Sequence, residues 1–316
     1  MRAEAAGGTG MLEVISQMGL LIGAGVLLGR LRPGGLDPEA TRRGLTDTVY
    51  FLLLPALVLD ALWRTELSWD SARIAGLAAA GVIVALWLAD TGCRLCRMAP
   101  PTRGALVLAA AFPNVTYLGL PVLEAAFGPW ARSVAVQYDL FACTPLLLTL
   151  GILMARRYGT ATHGAAPGVL WPLFQVPALW AAAAGVAFNQ AGIAASPAIE
   201  ALLRLLGDAV PPLMVIALGL GLRWMGSGRR RLSAVFPVLL IQLFLMPLLV
   251  WGLALAIDLN SRLLPPVVLE AAMPSMVLGL VLCDRYGLDT PFYATAVTLS
   301  TALSMLTLPL WYRFLL

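Results

Sequence analysis

The amino-acid sequence predicts an all-α polytopic membrane protein whose ten transmembrane helices form two inverted halves of five. Three observations predict it. Of 316 residues, 60% are hydrophobic and only 12% charged, with a mean hydropathy of +0.85, whereas about a quarter of a soluble domain is charged. Apolar runs of spanning length, about 20 residues, recur ten times, near 11–29, 44–63, 71–92, 104–127, 131–155, 169–188, 197–222, 233–257, 263–284 and 290–315. Finally, the fourth and ninth runs share one proline-broken pattern, Ala110-Ala111-Phe112-Pro113-Asn114 against Ala271-Ala272-Met273-Pro274-Ser275, each followed by Leu-Gly-Leu.

Taken in order, the N-terminal MRAEAAGGTG lacks the charged start and small-residue cleavage site of a signal peptide, so the first run is expected to stay as a span. That run carries Gly19, Gly23, Gly25 and Gly29, two small-xxx-small patterns suited to close helix packing. The second run contains Pro55 and the seventh Pro212, preceded by Pro211, so the second helix of each half is expected to bend. Cys93 and Cys96 make a lone CxxC without the second pair a zinc site needs. Cys143 and Cys283 lie in apolar runs and read as packing residues. No metal, cofactor or catalytic group is expected.

The fourth run is the centre of the pattern. Pro113, Asn114, Thr116, Gly119 and Pro121 do not suit a continuous helix, so the segment should open near mid-membrane and leave backbone groups that another helix, water or a bound molecule must satisfy. Paired interrupted segments in two halves are the sequence mark of a transporter site. The register continues into the next runs, since Pro113 and Pro274 are 161 residues apart and so are Ala135 and Ala296. Five spans per half make the second half enter the membrane in the opposite orientation. The halves are 1–157 and 169–316, joined by a short Gly/Ala-rich linker at 158–168 that holds His163, the only histidine.

The charge of +4 comes from 21 arginines, with no lysine. Fourteen fall on one side, in the odd-numbered connections that include Arg156, Arg157, Arg223 and Arg229 to Arg231; six fall on the other, and Arg204 alone lies inside a span. By the positive-inside rule the linker is cytoplasmic and both termini are extracytoplasmic, with the chain in the cytoplasmic membrane. No basic stretch is interleaved with aromatics outside the membrane, so nucleic acid is not an expected partner.

These residues resemble the auxin efflux carrier family of secondary transporters in its short bacterial form. The resemblance rests on Gly25 to Arg30 with Leu54-Pro55-Ala56-Leu57; Asn114 followed by Gly119-Leu120-Pro121; Pro212 followed by Gly219; Ala272-Met273-Pro274; Tyr286-Gly287; and Thr298 to Thr307 with Pro309. It implies broken fourth and ninth helices crossing beside the substrate, and organic anions as substrates: auxin in plants, small carboxylates in bacteria. Pro113, Glu270 and Leu278 depart from the family pattern.

With only Arg204 inside a span, and the other arginines, Arg132 among them, expected to cap helix ends, backbone must neutralise an anion. Helix N-terminal amides carry about half a positive charge, and Asn114 can add a side-chain donor. The expected substrate-binding residues are Asn114, Thr116, Tyr117, Gly119, Pro121, Pro274 and Ser275, weighed against a purely structural role for Asn114. Asp139 lies at membrane depth, where an ionised carboxylate costs several kcal/mol; it is the leading candidate for proton coupling, ahead of Glu270 and Asp208, each of which is placed where it could reach an interface or cap a helix. Asp60 and Asp90, toward span ends, read as solvated. Two other classes compete. A sodium-coupled symporter of the bile-acid type would want more polar groups around the breaks than Asn114, Thr116 and Ser275 supply. An intramembrane aspartyl protease would use Tyr138-Asp139 and Gly207-Asp208, but Leu205 stands where its motif needs glycine. A homodimer is one assembly the sequence leaves open.

Overall fold

Helix follows helix in the computed structural model, which describes residues 2–64, 68–160, 174, 176–221 and 229–316; no strand occurs among them. His163, Arg223 and the expected linker from residue 161 onward lie outside the described residues. The helices are α1 (Arg2–Leu31), α2 (Pro38–Arg64), α3 (Trp69–Leu95), α4 (Pro100–Ala111), α5 (Val115–Phe127), α6 (Pro129–Tyr158), α7 (Pro177–Gln190), α8 (Pro197–Gly221), α9 (Ser233–Ala256), α10 (Leu264–Ala271), α11 (Gly279–Tyr286) and α12 (Thr290–Leu315). Of these α2, α3, α6, α8, α9 and α12 are long and apolar enough to cross a membrane. The fourth and ninth apolar runs are each split in two, as their prolines predict.

The chain writes its helix starts with capping residues. The side chains of Asp37, Ser68, Ser196 and Asp289 each accept a bond from a backbone N–H of the turn that follows, which satisfies donors a helix leaves free at its start. Proline then shapes the interiors. Pro55, Pro121, Pro145 and Pro247 each stand two residues after a π-helical turn, at Val49–Leu53, Val115–Gly119, Asp139–Cys143 and Ile241–Leu245. In every case the residue before the proline donates five residues back, Leu54 to Val49, Leu120 to Val115, Thr144 to Asp139 and Met246 to Ile241. Widening the turn lets the chain pass a residue that has no N–H and would clash with the carbonyl four positions earlier. The bend expected at Pro55 has this origin; near Pro211 and Pro212 the helix is interrupted by a turn at Ala209 instead.

Packing joins early and late parts of the chain. Helix α1 lies against the second part of α8 so closely that a Cβ added at Gly25 would strike the Ile216 carbonyl and Gly219, and one at Gly219 would strike Ile22. The Gly25/Gly29 pattern is therefore used as a seam, whereas Gly19 and Gly23 have no atom within 4 Å of where a Cβ would lie. Helix α7 packs on α2 in the corresponding way, with Gly185 placed so that an added Cβ would lie 3.1 Å from the Leu59 carbonyl oxygen. Helix α3 packs on α4, α9 on α10, and α3 on α9. Large apolar side chains such as Leu27, Phe51, Trp87, Leu153, Phe236, Leu306 and Leu310 remain exposed around the outside, the surface expected where hydrocarbon is the solvent.

Candidate functional site

The two interruptions meet each other. Between α4 and α5 the chain runs extended through Phe112, Pro113 and Asn114, and between α10 and α11 it passes through Met273, Pro274 and Ser275; Pro113 and Ser275 form an antiparallel bridge. The Asn114 N–H donates to the Pro274 carbonyl at 2.7 Å and the Met276 N–H to the Phe112 carbonyl at 3.0 Å. Pro113 has no N–H for the Ala109 carbonyl four residues back, and the Ser275 hydroxyl donates to that carbonyl instead, at 2.7 Å. The Gln242 amide donates to the Met273 carbonyl at 2.9 Å, and the Ser300 hydroxyl accepts from the Ser275 N–H at 3.2 Å. Backbone freed by the breaks is thus largely paired across the two segments, as its burial requires.

One donor is left over. Asn114 is 3% exposed, its carbonyl begins α5 by accepting from Leu118 and Gly119, and its side-chain Nδ2 has no hydrogen-bond partner among the described residues. The side-chain amide therefore stands unpaired where the dipole of α5 begins, an arrangement suited to an anion. Pro121 does not open the helix. It widens a turn, while the break falls at Phe112–Asn114. The other expected residues divide by what they touch. The Thr116 hydroxyl donates to the Asp139 carboxylate, Tyr117 is half-buried against the core, and Gly119 lies directly under the Glu270 carboxyl.

Asp139 also accepts from the Thr144 hydroxyl at 2.9 Å. It begins the π-helical turn imposed by Pro145, so its own helix presents it toward the start of α5. Ser300 lies 161 residues later in the sequence. Asp139 binds Thr116, just after the first break, and Ser300 binds the N–H of Ser275, within the second. A cavity of about 10 Å³ adjoins Thr116, Asp139 and Leu120, roughly the space of one water.

A much larger cavity, about 1420 Å³, opens to one face of the molecule and reaches Pro121 and Gly207. Asp60, Arg64, Glu124, Trp130, Arg132, Arg204, Asp208 and Arg262 line it. Arg132 bonds both Glu124 and, at 2.6 Å, Asp208; Arg64 pairs with Asp60 at 2.7 Å and Glu200 at 3.4 Å; Arg262 stacks on Trp130 at 4.2 Å. Asp208 is thus an exposed member of a vestibule ion cluster and stands apart from the part-buried Asp139 and the fully buried Glu270.

Two sequence expectations need correction. Arg132 was expected to cap a helix end, yet its side chain is 16% exposed and lines the same cavity as Pro121; the fold carries the start of α6 down beside α5 and α8. Asp90 is not simply solvated. It accepts from Arg103 at 2.5 and 2.8 Å, from the Tyr158 hydroxyl at 2.6 Å and pairs with Arg94 at 3.1 Å, tying α3, α4 and α6 together. No local signal announces either residue, because every partner except Arg94 and Glu124 is distant in sequence or on another helix. Cys93 is buried and Cys96 exposed, both free.

Comparison with known proteins adds the family. A family model described as membrane transport protein matches residues 20–312. An uncharacterized transporter of Methanothermobacter thermautotrophicus is 30% identical over 310 residues, covering 96% of this chain and 97% of its own length. Uncharacterized transporter MJ1031 of Methanocaldococcus jannaschii is 26% identical over 219 residues, 67% of this chain and 68% of its own, and uncharacterized transporter YfdV of Escherichia coli is 21% identical over 280, or 86% and 88%.

Proposed function

The chain belongs to the membrane transport protein family, and on that premise we propose that it is a secondary active transporter moving a small organic anion across the cytoplasmic membrane by alternating access. It is a membrane transporter and not an enzyme; the anion, the coupling ion and the mechanism are the proposal. The observation that carries it is the unpaired, buried Asn114 amide at the start of α5, beside the joint between two broken helices. In this reading the substrate carboxylate binds there, held by Asn114 and helix-start amides, with Thr116, Tyr117, Gly119, Pro121, Pro274 and Ser275 forming the walls. The 1420 Å³ vestibule is the extracytoplasmic approach. Its four arginines against three acids favour entry of anions.

The architecture proposed is ten spans in a five-plus-five inverted repeat, 1–157 and 169–316, with the fourth and ninth crossing. Support comes from matched packing: α1 on α8 answers α7 on α2, and α3 on α4 answers α9 on α10, as a two-fold relation between halves requires. Asp139 is proposed as the coupling group because it links α6 to the start of α5 through Thr116. Protons are favoured over sodium because Asp139 already receives two hydroxyl donors, an arrangement that would have to turn around to coordinate a cation.

The deciding experiment is a thermal-shift screen of the purified protein against small carboxylates and indole acids, with and without sodium and at two pH values. Stabilisation by a carboxylate, independent of sodium, is expected. Stabilisation that appears only with sodium would favour the bile-acid-type symporter, and none by any carboxylate would remove the anion reading.

A further inference from the structure

We infer that Glu270 is a proton-binding site in its own right, loaded in the packing seen here and unloaded only when α5 and α10 separate. Glu270 ends α10, in the second half, and its side chain crosses to the first half. Its carboxyl is pressed so tightly on Gly119 that any Cβ there would collide with it. The residue is 0% exposed and neither carboxyl oxygen has a hydrogen-bond partner among the described residues. A carboxylate so placed would be a buried charge without donor or counter-ion, which proteins avoid by keeping the group neutral. The uncharged acid is the form that this packing accommodates.

The surroundings offer nothing that would hold the charged form. Helices α3, α5, α6, α9 and α12 pack on α10. Between Ser233 and Ala256, α9 carries no titratable residue, and α3 carries none between Ile74 and Ala89. From α12 the nearby candidate is Tyr293, whose hydroxyl donates to the Met276 carbonyl at 2.9 Å. On α5, Glu124 is committed to Arg132 in the vestibule, and Tyr117 is half-buried against the core. On α6 the candidates are Tyr138, Asp139 and Cys143. A tyrosine and a cysteine are ordinarily neutral at pH 7, and Asp139 would add only repulsion. Arg132 of α6 is bonded to Glu124 and Asp208 in the vestibule.

Gly119 makes the seat conditional. Only a residue without a side chain lets α5 come down on the carboxyl, so the proton is sealed while the two breaks touch and exposed once they part. The site is distinct from Asp139, which has two hydroxyl donors and stays within its own half. If the transport reading above holds, the two acids supply separate proton sites, and an ionised Glu270 would repel an anion bound at Asn114. The inference rests on that reading only for this consequence, because the test below reads protonation without any substrate.

Infrared spectra of the full-length protein in liposomes in heavy water at neutral pH will show whether a protonated carboxylic acid is present. The expected result is a carbonyl band that persists in Asp139→Asn and is lost when Glu270→Gln is added to it. Prolonged labelling of unmodified protein by dicyclohexylcarbodiimide, an apolar reagent selective for protonated acids that can enter each time the two breaks part, supplies a check that needs no variant; mass spectrometry should find the adduct on Glu270. A band unchanged by Glu270→Gln, or labelling confined to other residues, overturns the inference. Either failure leaves the transport reading standing, since anion binding is measured separately.

Discussion

Replacing Ser275 by alanine removes the hydroxyl that satisfies the Ala109 carbonyl, a group orphaned because Pro113 cannot donate to it. Ser275 is completely buried, so no water replaces the lost donor. Leaving a buried acceptor unpaired costs about 1–3 kcal/mol, and Ser275→Ala should lose that much stability. The rescue is specific. Pro113→Ala restores an N–H four residues after Ala109, in reach of the same carbonyl if α4 extends by a turn. In that background Ser275→Ala should cost well under about 1 kcal/mol, which gives a coupling of about 1–2 kcal/mol in a double-mutant cycle. The assay is denaturant unfolding of the four proteins in mixed micelles, with reversibility checked for each. Equal cost of Ser275→Ala in both backgrounds would refute the claim that the serine acts for the missing proline N–H.

Three further outcomes follow from the geometry. Asp139→Asn keeps a side-chain oxygen for Thr116 or Thr144 but loses the titrating group; the pH dependence of transport should flatten while the protein remains folded, and an unchanged pH profile in a liposome uptake assay would reject Asp139 as the coupling acid. Asp90→Asn strips charge from a part-buried hub of two close arginines and a tyrosine, and thermal unfolding should report a loss of about 1–3 kcal/mol, discounted from the fully buried case; no loss would mean the cluster is solvated after all. A cysteine at Thr160, in a background where the exposed Cys96 is removed, should resist an impermeant thiol reagent added outside intact cells, and ready labelling would mean the topology is reversed.

The breaks were legible because proline states its chemistry locally: Pro113 and Pro274 cannot donate, and no context repairs that within one helix. The family reading drawn from Asn114, Gly119 to Pro121 and Ala272 to Pro274 is borne out by the match over residues 20–312. What escaped the sequence is contact between distant residues. Arg132 looked like a helix cap because nothing near it reveals that Asp208, 76 residues on, reaches it from α8. Glu270 looked free to reach an interface, since only the close approach of α5 at Gly119 encloses it. The π-helical turns were half visible: each proline marks a disturbed turn, but whether the helix bends, widens or stops is decided by packing.

The central claim, that an anion binds where the two broken helices join, is tested most directly by measuring carboxylate binding to Asn114→Ala. The Nδ2 group lost has no hydrogen-bond partner among the described residues, and the helix is already interrupted there, so folding should be spared. A hydrogen bond to a charged group contributes about 1.5–3 kcal/mol, and about 1.4 kcal/mol is tenfold in affinity. Isothermal titration with the best carboxylate from the screen should therefore show binding about one to two orders of magnitude weaker than in the parent, with unchanged thermal stability of the ligand-free protein. Binding equal to the parent's would contradict the account and put the site elsewhere.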